Sequence, residues 1–191
     1  MHRSPPDHPD IFILRHGETV WNRSGRFQGR QDSPLTEAGR RQALRQRDIL
    51  TANGIRPDLI FCSPQGRARQ TAGLVFGDRG DVRLDARLQE IDFGLWEGLT
   101  RDEVRQQTGD PGASGLWQFA SPEGEDFAAI SARVAHFLDD LPGPAVVVTH
   151  GTTSQVMRGL CMGLIPAELL TLPKDQGCVY LMSAGRQIVL R

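Results

Sequence analysis

The chain is poor in the features that mark many specialised proteins. No apolar run approaches the length of a membrane span, which argues against a membrane partner. Net charge is only −1, from 22 Lys+Arg against 23 Asp+Glu, so no overall field favours nucleic acid or an anionic surface. Any attraction for an anion must come from local grouping of basic residues. Cysteine is scarce. Cys62, Cys161 and Cys178 are odd in number and form no Cys-x-x-Cys, which argues against a disulfide framework or a zinc ribbon. Cys62 and Cys178 fall in apolar strand-like runs and read as buried thiols. The opening "MHRSPPDHP" has no apolar h-region, so residues 1–9 read as a flexible tail and the protein as cytoplasmic. No repeat, low-complexity segment or domain-scale linker follows, and residues 10–191 are expected to form a single domain.

What is present points to an α/β domain. Hydrophobic content of 39% and charged content of 24% are ordinary, and the length allows a sizeable core. "DIFILRH" reads as a buried strand, followed by a loop through "WNRSGRFQGRQDSPL". Thr36 can cap a helix over about 37–53, with Gly54 as its stop. "DLIFCS" reads as a second buried strand. Ser63 as N-cap and Pro64 at the first helical position predict a helix through "QGRARQTAGLVF". "VRLDARLQEIDFG" is mixed strand and loop, and 100–108 a short helix. A Gly/Pro/Ser-rich excursion at 109–126 precedes a helix over about 124–140. "PAVVVTH" is the clearest strand, with a helix directly after it. "GCVYLMS" and "RQIVLR", separated by "AG", read as a terminal hairpin. Alternating strands and helices imply a three-layer sandwich, a mostly parallel central sheet with helices on both faces.

Three strands carry the same punctuation. "FILRHG" and "VVVTHG" end in His-Gly, and "LIFCSP" leads to a helix with Arg67 near its start. Ligands of open α/β sheets bind beyond the carboxyl ends of the strands. If these strands are parallel neighbours, His16, His150 and Arg67 converge there, beside Arg15. Gly17 and Gly151 are expected to let the chain turn and a ligand approach the backbone. The helix after Gly151 offers free N–H groups. Two arginines, two histidines and a helix N-terminus suit a compact dianion such as phosphate. Arg67 and Arg69 cannot both face the site, because residues two apart do not share a helix face. "RRQALRQR" reads as a solvated helix face, His2 and His8 as tail residues, and His136 as a packing or surface residue.

These segments resemble the histidine phosphatase superfamily, the phosphoglycerate mutase-like proteins. "LRHGETVWN" looks like the opening signature and "FQGRQDSPLTEAGRRQA" like the segment after it. "CSPQGRARQTA" resembles the second block, with Arg67 as the matching arginine. "LQEIDFGLWEGLT" resembles the acidic block, with Glu90 at the proton-donor position, and "VVVTHGTTSQVMRGL" the final block. The order is kept from about residue 11 to 165.

The resemblance implies that His16 attacks phosphorus as a neutral imidazole and forms a phosphohistidine. It implies that Arg15, Arg67, His150 and Asn22 bind phosphoryl oxygens. Glu90 would protonate the leaving alkoxide, then take a proton from water. That role requires a carboxyl protonated part of the time near neutral pH, and a phosphate beside it would raise its pKa in that direction. Glu18, Thr19, Gln28 and Gly29 are implied at the substrate mouth or in its support, and no cofactor or metal is implied. The size and the lack of the mutases' longer inserts favour a phosphatase for a small-molecule phosphomonoester. A mutase, a non-catalytic phosphate-binding module and a phosphoryl carrier to a protein are the alternatives. Residues about 95–126 are expected to include a lid. Within it, "SPEGEDF" places Glu123 where the family has glycine and Asp126 where it has serine. Those acids would favour a neutral or apolar substrate body, resting on Trp117 or Phe119. "KDQGCVYL" lacks an asparagine often found there. The protein is expected to be a monomer or homodimer.

Overall fold

The structure is a computed structural model that describes residues 8–56, 58–77, 81–109 and 115–191. Most of the expected tail and the centre of the Gly/Pro/Ser-rich excursion lie outside the described residues. Among those described, six strands form one sheet in the order β3-β2-β4-β1-β5-β6. They are β1 (Ile11–Arg15), β2 (Leu59–Cys62), β3 (Val82–Leu84), β4 (Ala145–Thr149), β5 (Val179–Ser183) and β6 (Arg186–Leu190). The pairs β1–β4, β2–β4 and β2–β3 are parallel, whereas β1–β5 and β5–β6 are antiparallel. The three strands read as buried are therefore adjacent, with β4 in the middle and wholly buried.

Strand alternation divides the core. Ile11, Ile13 and Val147 join a cluster with α5 (Phe127–Asp139) and α6 (Gly151–Met162). Leu14, Val146 and Val148 join a second cluster with α2 (Glu37–Ala52) and α3 (Gly66–Phe76). Period-two strands sandwiched by helices on both faces give the expected three layers. The other α-helices among the described residues are α1 (Val20–Arg23), α4 (Arg101–Thr108) and α7 (Pro166–Leu169).

Helix starts follow side-chain chemistry, with instructive exceptions. Thr36 caps α2 by accepting from Gly39 N at 3.0 Å. Ser63 does not cap α3. Its hydroxyl lies 2.7 Å from His150 Nε2, and α3 begins at Gly66 because the Asp32 carboxylate accepts from Gly66 N and Arg67 N. A loop distant in sequence supplies this cap. Helix α5 starts later than expected, with Asp126 accepting from Ala129 N at 2.7 Å. Aspartate and serine are both good N-caps, which accounts for the departure at this position. Glu123 sits at φ 60, the left-handed region where a glycine is at no steric cost.

Gly17 and Gly151 are not at positive φ, so a left-handed turn does not explain them. A Cβ on Gly17 would lie 2.2 Å from the carbonyl oxygen of Gly39, and one on Gly39 would lie 2.1 Å from that of Glu18. The two glycines let the start of α2 press on the backbone just after His16. In the basic run of α2 the arginines face outward, but Gln46 is fully buried. Its amide donates to Arg15 O and Cys178 O, both at 3.0 Å, and ties α2 to the strand ends at the site.

Candidate active site

The cleft opens beyond the carboxyl ends of β1, β4 and β2, and its volume is about 140 Å³. His16 follows β1, and its backbone N–H continues the sheet ladder to Thr149 O at 3.0 Å. His150 follows β4, and the two imidazole centroids are 5.1 Å apart. Arg67 enters from the first turn of α3 and is fully buried, whereas Arg69 is exposed. Arg15, His16, Asn22, Gln28, Gly29, Arg67, Glu90 and Gly151 all line the cleft. His150 is wholly buried beside His16.

Hydrogen bonds assign a working tautomer to His16. Nδ1 is 2.8 Å from Gly17 O, an acceptor, so it carries the proton. Nε2 accepts the Arg67 Nε–H at 3.3 Å, so its lone pair is directed at Arg67, which itself lines the cleft. Burial, and then the Arg67 and Arg15 charges, push the His16 pKa well below the ordinary histidine value, against the opposing Gly17 carbonyl. Burial, and then Arg67, His16, Arg15 and Arg133, push His150 well below that value. Both rings are neutral at pH 7.

The arginines are not equivalent. Arg67 donates from Nη1 to Gln31 O at 2.6 Å and Asp32 Oδ1 at 2.8 Å, and from Nη2 to Gly29 O at 2.9 Å. With its bond to His16, four of its five N–H groups are engaged. Arg15 donates to the Lys174 carbonyl, but its buried Nε has no partner among the described residues. His150 Nδ1 is also buried without one. Leaving such groups unpaired is costly, and both suit an oxyanion. Burial lowers the Arg15 pKa from the usual arginine range, with Glu90 and Tyr180 opposing.

Glu90 is held by the start of α6. It accepts from Thr152 N at 3.1 Å, Thr153 N at 3.0 Å and the Thr153 hydroxyl at 3.1 Å. Burial pushes its pKa up. The two backbone donors and the Arg67 and Lys174 charges more than offset this, and the carboxyl lies below the ordinary glutamate value. With no phosphate beside it, Glu90 is a carboxylate, so the role the resemblance implies needs the pKa rise that a bound phosphate brings. The helix terminus is not wholly free, since two of its N–H groups already serve Glu90.

Other expected residues take supporting positions. Asn22 Oδ1 accepts from Thr19 N and Gln176 Nε2, which leaves its NH₂ for the cleft. Gln28 bridges Thr19 and Ser33. Gly29, at φ 51, gives its carbonyl to Gln65 and Arg67. Glu18 and Thr19 do not line the cleft. Glu18 pairs with Arg23 and accepts from Thr36, while Thr19 caps α1. Trp117 packs against Phe27 and Trp96, and Phe119 against Phe127. Phe27 and Phe93 supply the apolar wall instead. Glu123 and Asp126 are absent from the lining. Glu125 is bound by Arg133.

Sequence reasoning missed Arg26, Gln118, Thr152 and Lys174, which also line the cleft. It also missed Gln176, whose amide holds His16 O at 3.0 Å. A signal for this last residue existed, since a glutamine can supply the amide of the missing asparagine.

Fold and site together define a class: an α/β protein with a cleft lined by arginine and histidine at the carboxyl edge of its parallel strands. Within that class, the chain belongs to the histidine phosphatase superfamily, branch 1, whose sequence profile matches residues 11–187. A Cronobacter sakazakii protein named "Probable phosphoglycerate mutase GpmB" is 34% identical over 174 residues, 85% of this chain and 75% of its own length. The adenosylcobalamin/alpha-ribazole phosphatase of Escherichia coli K12 is 32% identical over 177 residues, 88% of this chain and 86% of its own. The solved structure of a mycobacterial glucosyl-3-phosphoglycerate phosphatase, a complex with VO3, matches with a TM-score of 0.79 at 30% identity over 92% of each chain. Family and phosphatase-named relatives support a phosphatase. The three names carry different substrates, so substrate class must be argued from this cleft.

Proposed function

We propose that this protein hydrolyses small phosphomonoesters without a metal, through a phosphohistidine on His16. The reading is carried by that ring's hydrogen bonds: Nδ1 lies on the Gly17 carbonyl and Nε2 accepts from Arg67 at the cleft wall, while burial and arginine charge favour the neutral ring. Phosphorus takes the place of the Arg67 Nε–H at that lone pair. As the N–P bond forms, the bond to the leaving oxygen breaks. Arg15 Nε, His150 Nδ1 and the Asn22 amide receive the equatorial oxygens. Glu90 starts as a carboxylate, and the arriving dianion raises its pKa so that it takes up a proton. It gives that proton to the leaving alkoxide. The regenerated carboxylate then takes a proton from water, whose oxygen attacks phosphorus and releases His16.

The cleft suits a small substrate with an apolar face against Phe27 and Phe93, handled as a free metabolite in the cytoplasm. The test is phosphate release in EDTA from p-nitrophenyl phosphate, 3-phosphoglycerate and a nucleoside 5′-phosphate. The wild type is expected to release phosphate and His16→Ala to release none. Release that requires a metal, or that survives in the variant, would overturn the reading. The mutase-named relative favours one second reading, isomerisation of 3- to 2-phosphoglycerate without release, which the same reactions detect.

A further inference from the structure

The chain contains 21 arginines and a single lysine, Lys174, and that lysine lines the cleft. Its backbone is fixed from two sides. Arg15 donates to the Lys174 carbonyl. The preceding Pro173 carbonyl accepts from Arg158 Nη2 at 2.6 Å and from the Tyr180 hydroxyl at 3.2 Å. The following Asp175 N–H donates to that hydroxyl at 2.8 Å. Arg158 is fully buried and stacks on the Tyr180 ring at 3.9 Å. A rigid buried support therefore holds a flexible side chain at one point on the cleft wall. The side chain runs past Gly151, where a Cβ would lie 3.2 Å from Lys174 Cδ and 3.4 Å from Arg15 Nε. The absence of a side chain at Gly151 brings the two cations to the same corner.

Among the described residues the ammonium is, with Arg15, one of two cations of the cleft without a carboxylate partner. Arg26 is paired with Glu103, and Arg67 with Asp32. Lys174 makes no side-chain hydrogen bond or ion pair among the described residues. Its strongest favourable charge interaction is with Glu90, while burial lowers its pKa overall. A phosphoryl dianion entering beside the Glu90 carboxylate would otherwise meet Arg15 as its one cation without a carboxylate partner. Lysine also differs from arginine in form: a compact point charge with three donors, able to turn toward an oxygen that moves during transfer.

We propose that Lys174 is a catalytic residue of this site, its ammonium binding a non-bridging oxygen of the phosphoryl group as it passes to and from His16. The inference rests on the hydrolase reading above but can fail separately from it. Replacing Lys174 removes one charge-assisted hydrogen bond in a desolvated site. Lys174→Met is expected to lower kcat/KM roughly 10- to 100-fold. The loss should be the same for p-nitrophenyl phosphate and 3-phosphoglycerate, because both present the same phosphoryl group. Inhibition by vanadate should weaken in parallel, and Lys174→Arg should recover part of both. A loss confined to 3-phosphoglycerate would overturn the proposal, since Lys174 would then read the carboxylate of the substrate body. Unchanged vanadate inhibition would overturn it as well.

The wild-type chain offers a test free of folding effects. Amine acylation can modify only Lys174 and the α-amino group, and peptide mass spectrometry separates the two. Vanadate or inorganic phosphate should protect Lys174 from acylation and leave the α-amino group unaffected. Equal acylation with and without the anion would refute the contact. Protection in a protein that hydrolyses nothing would refute the hydrolase reading and leave the Lys174 contact standing.

Discussion

Two neutral histidines side by side in a buried cleft should make stability depend steeply on acid. His16 and His150 are 2% and 0% exposed, and burial with nearby arginine charge holds both pKa values well below 6.5. In the unfolded chain each returns to about 6.5. Between the folded and unfolded values the unfolded chain binds more protons, so stability rises with pH and falls on acidification. Each ring contributes up to roughly 1.4 kcal/mol per pH unit, so the pair approaches about 3 kcal/mol per unit. Integrated from pH 7 to 5.5, with both rings still neutral in the fold, the expected loss is about 2–3 kcal/mol. The depressed carboxyls Glu18, Asp85, Glu90 and Glu103 lose their contribution as pH falls further, from about their unfolded pKa values downward. Urea unfolding at both pH values in phosphate-free buffer measures this loss, and His16→Asn supplies the control. The variant keeps one titrating ring and should lose about half as much. Equal losses in the two proteins, or less than about 0.5 kcal/mol in the wild type, would refute the assignment of two neutral rings.

Three further outcomes follow from local geometry. Gly17→Ala drives a Cβ into the Gly39 carbonyl, where only backbone can yield, and is expected to cost about 2 kcal/mol. In calorimetry that is a fall in Tm of about 4–8 °C, and an unchanged Tm would show that α2 can move aside. Glu123→Gly relieves a non-glycine φ of 60 and should raise stability by a few tenths to about 1 kcal/mol; a lower Tm would contradict the strain. Glu90→Gln should slow hydrolysis of an alkyl phosphate by about 10²–10⁴-fold but p-nitrophenyl phosphate far less, because nitrophenolate needs little protonation to leave. Equal losses on both substrates would remove Glu90 from the proton-transfer role.

Much of this molecule is legible locally. Short apolar runs ending in His-Gly or Ser-Pro locate β1, β4 and β2. Because such strands are buried and their ends face the ligand edge, the same punctuation brings His16, His150 and Arg67 together. Thr36 reads as a cap because its chemistry acts three residues away. Contacts made across long separations are not legible in that way. Asp32 caps α3 and holds Arg67 from 35 residues away, which frees Ser63 for His150. Gln46 looks like one more polar residue in a basic helix, yet tertiary packing turns it toward the ends of β1 and β5. The charge on Glu90 depends on two backbone donors more than 60 residues away. Lys174 carried a compositional signal, as the lone lysine among arginines, but nothing near it in sequence places it beside Gly151.

On the proposed mechanism, phosphorus bonds to His16 during turnover. The most direct measurement is to mix enzyme with p-nitrophenyl phosphate, quench with alkali within the first turnovers, and map the added phosphoryl group by peptide mass spectrometry. One alkali-stable, acid-labile phosphoryl group is expected on His16 and none on the His16→Ala variant. Brisk phosphate release with no labelled His16, or a label on another residue, would contradict that mechanism.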